Sequence, residues 1–161
     1  TPRSSSAASD VYKRQRGSRG LSRDDNAIFW RMQRGEIPQA RSSTTLGSRV
    51  LTVDPDAGTI EIEYTATDEF LNPAGTVQGG FLAAMLDDTM GPCIYATLEA
   101  NQISPTLTMN VAYHAPAKPG AITGKAQVTH RGGTIVHVAA ELFQDGKLVA
   151  TGNSTCMVRR L

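Results

Sequence analysis

One segment of the chain is apolar on nearly every side: residues 79–98, which read GGFLAAMLDDTMGPCIYATL. We expect a helix here, and a helix that is hydrophobic all round is a buried one. Pro92 lies inside the segment and cannot donate to the carbonyl four residues earlier, so we expect a kink or a brief break at Gly91-Pro92. Because an exposed helix of this kind would leave a large hydrophobic surface, the segment predicts a sheet wrapped around it.

The residues before this helix predict a short helix and then a β-hairpin. Residues 22–34 begin with Ser22, a candidate N-cap, and continue with an apolar side. Residues 46–53 and 60–64 have the composition of strands, and the turn-forming sequence DPDAG separates them at positions 54–58. The chain therefore predicts helix, strand, turn and strand ahead of the long helix.

The last third of the chain has the pattern of strands throughout. Apolar residues alternate with polar or small ones in residues 107–113 and 122–128. Residues 134–142 are apolar enough for a central strand, and residues 148–158 close the sheet. The sequence QDGK at positions 144–147 is typical of a hairpin turn. Short connections predict an antiparallel meander of these four strands. The predicted fold class is α+β, a single domain in which an antiparallel sheet of five to six strands surrounds a long central helix.

Composition excludes several classes of protein. The 161 residues are 40% hydrophobic and 19% charged, as in a globular domain. No apolar run approaches the ~20 residues that a membrane span needs. Cys93 and Cys156 lie far apart without a CxxC pair, which excludes a disulfide scaffold and a cysteine-built zinc site. After position 23 the chain carries 10 basic and 14 acidic residues, a poor balance for a nucleic-acid binder.

The first residues differ from the rest in composition. Residues 1–15 are rich in Ser and Ala and would suit a disordered basic arm or a transit peptide. However, residues 5–15, SSAASDVYKRQ, resemble the translation of an adapter used in sequencing libraries. We therefore expect residues 1–15 to be non-native and the native start to be missing. The remaining units are an N-terminal segment with the short helix, residues 16–40, and the folded domain, residues 41–161.

Residues able to support chemistry lie in the first half of the long helix. Gly79-Gly80 would leave the first helical amides open to a ligand, where they could hold a developing oxyanion, although a simple turn has the same sequence. Asp87 is a carboxylate in an apolar helix, which is costly unless it is functional or hydrogen-bonded. Asp88, about 100° further round, is expected to cap, pair or face solvent. Gly79 and Asp87 are about 12 Å apart along the axis, so their cooperation would require two subunits.

Four motifs carry a resemblance to a known family: NPAGTVQGG at 72–80, the Leu86-Asp87 step, PTLTMNVAY at 105–113 and PAKPG at 116–120. In their order and spacing, residues 29–157 resemble a hotdog-fold thioesterase of the phenylacetyl-CoA type. The resemblance implies an acyl-CoA thioesterase that hydrolyses a medium-chain or aryl acyl-CoA without a metal or redox cofactor. It also implies a cytoplasmic protein that forms a homodimer or a dimer of dimers.

The same resemblance implies roles for individual residues. Asp87 would activate the hydrolytic water or attack the thioester, and Thr106 would support that nucleophile. The Gly79 amide would polarise the thioester carbonyl, and Asn72 would orient the carbonyl or the water. Asp87 and Thr106 of one subunit would face Asn72 and Gly79 of the other. The family usually carries His where this chain has Gln78, which can hydrogen-bond but cannot titrate.

Two other functions remain open at this point. A hotdog hydratase or dehydratase acting on acyl thioesters would need a His near the helix, which Gln78 does not supply. A non-catalytic acyl-CoA-binding module fits Gln78 but leaves Asp87 and Thr106 without a purpose. The phosphates of CoA require a basic rim, for which the candidates are Lys118, His130, Arg131 and Arg159, although each could equally be an ordinary solvated charge.

Overall fold

A computed structural model describes residues 21–161, so the expectations for residues 1–20 lie outside the described part. It contains three α-helices, α1 (Ile28–Gln33), α2 (Arg41–Thr45) and α3 (Gly79–Tyr95), and a 3₁₀ turn at Asp68–Phe70. The strands are β1 (Arg49–Asp54), β2 (Thr59–Ala66), β3 (Gln102–Ile103), β4 (Thr106–Tyr113), β5 (Gly120–Arg131), β6 (Ile135–Gln144), β7 (Lys147–Met157) and β8 (Arg159–Arg160). This is the predicted α+β fold with its long central helix.

Six strands form one antiparallel sheet in the order β1-β2-β5-β6-β7-β4, and β3 pairs with β8 in a small second sheet. The predicted meander is therefore wrong for β4, which lies at the far edge beside β7 instead of beside β5. The connection of six residues between β4 and β5, positions 114–119, explains the difference. At about 3.3 Å per residue it can cross the three strand spacings, about 14 Å, that separate β4 from β5.

α3 lies against the concave face of the sheet and supplies the centre of the core. Its buried side chains, Leu82, Met85, Leu86, Met90, Cys93 and Ile94, pack on buried residues of β2, β5 and β6. Two glycines let the helix approach the strands closely. A Cβ at Gly124 would collide with the Thr89 hydroxyl, and a Cβ at Gly152 would lie 3.3 Å from the Leu86 side chain.

The helix continues through Pro92 to Tyr95, so the predicted break does not occur. Pro92 removes one hydrogen bond to the preceding turn. However, only three helical residues follow it, and the buried side chains of Cys93 and Ile94 hold that last turn against the sheet. Tertiary packing therefore maintains the helix where the local sequence disfavours it. No helix within residues 21–161 is long and apolar enough to cross a membrane.

The N-terminal segment is fastened to the far end of α3. α1 begins at Ile28, later than the predicted start at Ser22, and has no side-chain cap. Asp24 instead accepts from the amide of Ala100 at 2.7 Å, and the indole of the buried Trp30 donates to the carbonyl of Ala96 at 3.0 Å. These contacts fix α1 beside α3, and together the two helices enclose a cavity.

The two edges of the large sheet differ in chemistry. β1 has charged residues at both ends, Arg49 and Asp54, and its pairing with β2 is interrupted at residues 50–52. β4 carries no charged residue and exposes Leu107 and Tyr113, which are 51% and 54% accessible. Both edge strands have one irregularity in their pairing, so the charges make the difference: charges protect an edge strand from association, whereas an uncharged edge invites it. β4 is therefore the edge suited to pairing with another strand.

Candidate active site

Backbone hydrogen bonds from the two residues that precede α3 hold the start of the helix in place. The amide of Gln78 donates to Phe70 O at 2.8 Å, and that of Val77 donates to Ala117 O at 2.9 Å. The Gln78 side chain is exposed and makes no capping bond. The amides of Gly79 and Gly80 have no internal acceptor in the first helical turn, and no carbonyl of the described residues outside the helix accepts from them. They are available to an anion.

Asn72 organises the loop that leads into the helix. Its Oδ1 accepts from the amides of Ala74 and Thr76, at 3.0 and 3.2 Å, and its Nδ2 donates to the Thr76 hydroxyl at 2.9 Å. Lys118 Nζ donates to the carbonyl of Gly75 in the same loop, at 3.3 Å. Within one chain, the Asn72 side chain thus supports the loop before Gly79.

Asp87, at the middle of α3, and Thr106, at the start of β4, are brought together. The Thr106 hydroxyl donates to Asp87 Oδ1 at 3.4 Å and also lies 3.7 Å from the thiol of Cys156. Asp87 is exposed, so the expectation of a carboxylate held within an apolar environment is wrong for the single chain. It faces the open β4 edge, where a second molecule could enclose it.

Asp88 is the more enclosed of the two carboxyls. Ser43 on α2 donates to Asp88 Oδ1 at 2.5 Å. Burial raises the pKa of Asp88, the nearby hydroxyls of Ser43, Ser48 and Tyr64 act in the opposite direction, and the charge of Asp87 raises it further. The sequence did not indicate this pairing, because α2 is a helix of five residues without an apolar periodicity.

A cavity of about 650 Å³ lies beside both carboxyls. Its walls come from α1, α2, β1, β2 and α3. The apolar lining includes Ile28, Phe29, Met32, Leu46, Ile62 and Pro92, and the polar lining includes Ser43, Ser48, Arg49, Asp87 and Asp88. A cavity of this size and lining suits the acyl or aryl part of a small ligand.

The candidate groups meet opposite ends of β4 and lie at the start and at the middle of α3. Tyr113, at the end of β4, donates from its hydroxyl to the carbonyl of Gly79 at 2.8 Å, whereas Thr106, at the start of β4, meets Asp87. β4 therefore runs opposite to α3. Since Gly79 and Asp87 are about 12 Å apart along the helix, they cannot act on one carbon within a single chain.

The four candidate CoA-binding residues do not form one cluster within the chain. Lys118 lies by Gly75, near the start of α3. Arg131 lies in the row Arg131, Val136, Cys156 and Thr106 across the sheet, beside His130 and at the Asp87 end of α3. Arg159 pairs with Ile103 in the small sheet just before β4. Lys118 thus precedes the start of β5, whereas His130 and Arg131 lie at its other end.

We also searched the described residues for side chains that could bind a metal ion. Within residues 21–161 no group of three or more His, Cys, Asp or Glu side chains could hold a metal ion. The chemistry available to the described residues is that of a carboxylate, hydroxyls and open helix amides.

Comparison with known proteins agrees with this architecture. Residues 74–151 match the family described as Thioesterase superfamily. A crystal structure of a phenylacetic acid degradation-related protein from Ralstonia eutropha JMP134 is 48% identical and superposes with a TM-score of 0.79, covering 80% of this chain and 98% of that one.

Two further relatives are more distant. Human acyl-coenzyme A thioesterase 13 is 28% identical over 122 residues, which are 74% of this chain and 86% of that protein. The PaaI protein from the phenylacetic acid degradation operon of E. coli has a TM-score of 0.68 at 21% identity, covering 83% of this chain and 93% of that one. This last likeness is one of fold.

Proposed function

This chain belongs to the thioesterase superfamily and is a thioester hydrolase, and from that premise we propose that it hydrolyses a medium-chain or aryl acyl-CoA to CoA and the free acid. The observation that supports this most directly is the exposed Asp87–Thr106 pair, which borders the cavity and the uncharged β4 edge. The acyl group would occupy the cavity, with its thioester carbon at the Asp87 end.

A two-fold pairing of β4 would complete the site. Because antiparallel partners run in opposite directions, the Thr106 end of one β4 would lie beside the Tyr113 end of the other. Thr106 is in contact with Asp87, and Tyr113 is in contact with Gly79. Self-pairing would therefore bring Asp87 of one subunit to Gly79 of its partner, and it would cover the exposed Leu107 and Tyr113 side chains.

The reaction follows from these positions. Asp87 takes a proton from a water molecule, whose oxygen forms a bond to the thioester carbonyl carbon. The negative charge that develops on the carbonyl oxygen is held by the Gly79 amide of the partner subunit, at the positive end of α3. Collapse of the tetrahedral intermediate breaks the carbon–sulfur bond and releases the CoA thiolate, which takes up the proton. Thr106 orients Asp87 throughout.

Three further residues would assist from the helix end of the site. Gln78 lies exposed beside Gly79 and could hydrogen-bond to the carbonyl or to the water. Asn72 would act mainly by fixing the loop that ends at Gly79. Lys118 is placed to meet a CoA phosphate at the same end, and His130, Arg131 and Arg159 would meet CoA from the other subunit.

The test is a thiol-release assay across acetyl-CoA, octanoyl-CoA, decanoyl-CoA and phenylacetyl-CoA. We expect turnover that is fastest with the medium-chain or the aryl substrate. Binding of these compounds without thiol release would favour the acyl-CoA-binding module instead. In parallel incubations with an enoyl-CoA and a 3-hydroxyacyl-CoA, gain or loss of water without thiol release would favour the hydratase or dehydratase.

A further inference from the structure

Tyr113 makes a contact with the helix start that the reaction described above does not use. Its hydroxyl donates to the Gly79 carbonyl at 2.8 Å, although the side chain is 54% accessible. A Cβ at position 79 would lie 3.1 Å from the ring carbon that carries this hydroxyl. The ring thus packs closely over position 79, and a side chain there would force it to shift by a few tenths of an ångström.

The Tyr113 hydroxyl donates to the peptide group that joins Gly79 to Gly80. A carbonyl oxygen can accept two hydrogen bonds. Within α3 the Gly79 oxygen accepts from the amide four residues later, and Tyr113 supplies the second bond. This carbonyl and the Gly80 N–H belong to the same planar peptide group, so bonds accepted at the oxygen polarise the N–H.

We propose that Tyr113 is a positioning residue for the oxyanion-binding site: it orients and polarises the Gly79–Gly80 peptide so that the Gly80 amide binds the oxyanion together with the Gly79 amide. This rests on the proposed hydrolysis. Neither amide has an acceptor in the described part of the chain. In the two-fold pairing, Tyr113 would also lie beside the partner's Thr106, where its ring would shield the reacting carbonyl from water.

The stabilising bond is made only by the phenolic hydroxyl, so Tyr113→Phe is the direct test. Since a single neutral hydrogen bond is involved, we expect kcat for the best acyl-CoA to fall about 3- to 10-fold, with KM unchanged within twofold. Thr151→Val is the matched control. It removes a hydroxyl that bonds only to His114, at 2.9 Å, on the strand beside β4, and it should leave kcat unchanged.

A second readout does not depend on activity. In protein labelled with ¹⁵N-glycine, loss of the Tyr113 hydroxyl should move the Gly80 amide proton upfield, because its peptide group becomes less polarised. Thr151→Val should leave that signal in place. Melting temperature and oligomeric mass, measured for both variants, should match those of the wild type.

The outcomes separate this proposal from the proposed function. A wild-type kcat in Tyr113→Phe, with Asp87→Asn inactive, overturns the role of Tyr113 and leaves the hydrolytic function standing. A fall in kcat that is matched by a rise in KM, or by dissociation of the oligomer, also overturns it. A wild-type protein that releases no thiol from any acyl-CoA overturns both. A kcat loss together with the Gly80 shift supports the proposal.

Discussion

Asp87 and Asp88 are adjacent, yet their side chains have opposite surroundings. The helix directs them about 100° apart, so Asp87 faces the open edge at β4 while Asp88 faces α2 and the cavity wall. Asp87 can meet a water molecule and a thioester that approach from outside the chain. Asp88 already accepts from Ser43 and serves the contact between α2 and α3. Asp87 is thus suited to catalysis, whereas its neighbour Asp88 is suited to holding α2 against α3.

Asp87→Asn should lower kcat by about 10²–10⁴-fold, the contribution typical of a general base and equivalent to about 3–5 kcal/mol. KM should change little, because binding uses the cavity and the CoA rim. Asp88→Asn is the matched control and should cost only a few-fold, with Thr106→Ala between the two. Thiol release on one good acyl-CoA measures all three, and circular dichroism checks their folding. The proposed assignment fails if Asp88→Asn is the inactive variant.

The raised pKa of Asp88 predicts that the protein becomes less stable as the pH rises. Burial raises its folded-state pKa above the ordinary value of 3.8. Between the unfolded and folded values the native state binds more protons, so stability falls as pH rises through that interval and then stays level. Denaturant unfolding from about pH 4 upward should show the wild type losing stability relative to Asp88→Asn. A difference that is constant with pH, or that grows in favour of the wild type, would contradict this.

α2 forms one wall of the cavity and is tied to α3 by the Ser43–Asp88 hydrogen bond. Ser43→Ala removes that bond, so α2 should hold its position less firmly against an acyl group. We expect KM for octanoyl-CoA to rise several-fold, while KM for acetyl-CoA, which does not reach this wall, stays close to the wild-type value. Thr45→Ala is the control, because its hydroxyl bonds only to Arg41 O within α2. Equal effects on both substrates would contradict the assignment of this wall to the acyl group.

α3 and β4 show which parts of the fold can be predicted from the sequence and which cannot. α3 was predictable because its apolar surface requires burial whatever the topology. β4 was misplaced because its uncharged, alternating sequence is that of an interior strand, and nothing local distinguishes a strand covered by its own sheet from one left open for another chain. The absence of a break at Pro92 has the same origin, since packing against the sheet outweighs the local rule.

In the candidate site, too, the sequence predicts some residues and misses the contacts between others. The chemistry of the long helix indicates Gly79 and Asp87, the family resemblance adds Thr106, and the structure brings Asp87 and Thr106 into contact. The Ser43–Asp88 bond and the Tyr113–Gly79 bond join residues 45 and 34 positions apart, and no periodicity signals such pairs. The Tyr113–Gly79 contact depends on the position of β4, which the predicted meander places incorrectly, and the Ser43–Asp88 contact depends on a short helix without an apolar periodicity.

Within residues 21–161, the six-stranded sheet has an uncharged edge at β4, and its occupation by a second chain should be required for activity. Light scattering at micromolar concentration should give a dimer or a multiple of it. Asn110→Lys places a charge near the middle of β4, where the two copies would lie opposite each other and repel. We expect this variant to dissociate and to lose thiol release together, whereas Thr52→Lys on β1 should do neither. An active monomer would overturn the shared site.

The separation of Gly79 from Asp87 along α3 has a consequence for mixtures of inactive variants. In the proposed dimer each site draws its carboxylate from one polypeptide and its open amide from the other. A chain carrying Asp87→Asn and a chain carrying Gly79→Pro, each inactive alone, would form hybrids in which one site is doubly damaged and the other is intact. Random reassociation of equal amounts should therefore restore about a quarter of the wild-type rate. Two inert proteins would complement each other in one tube.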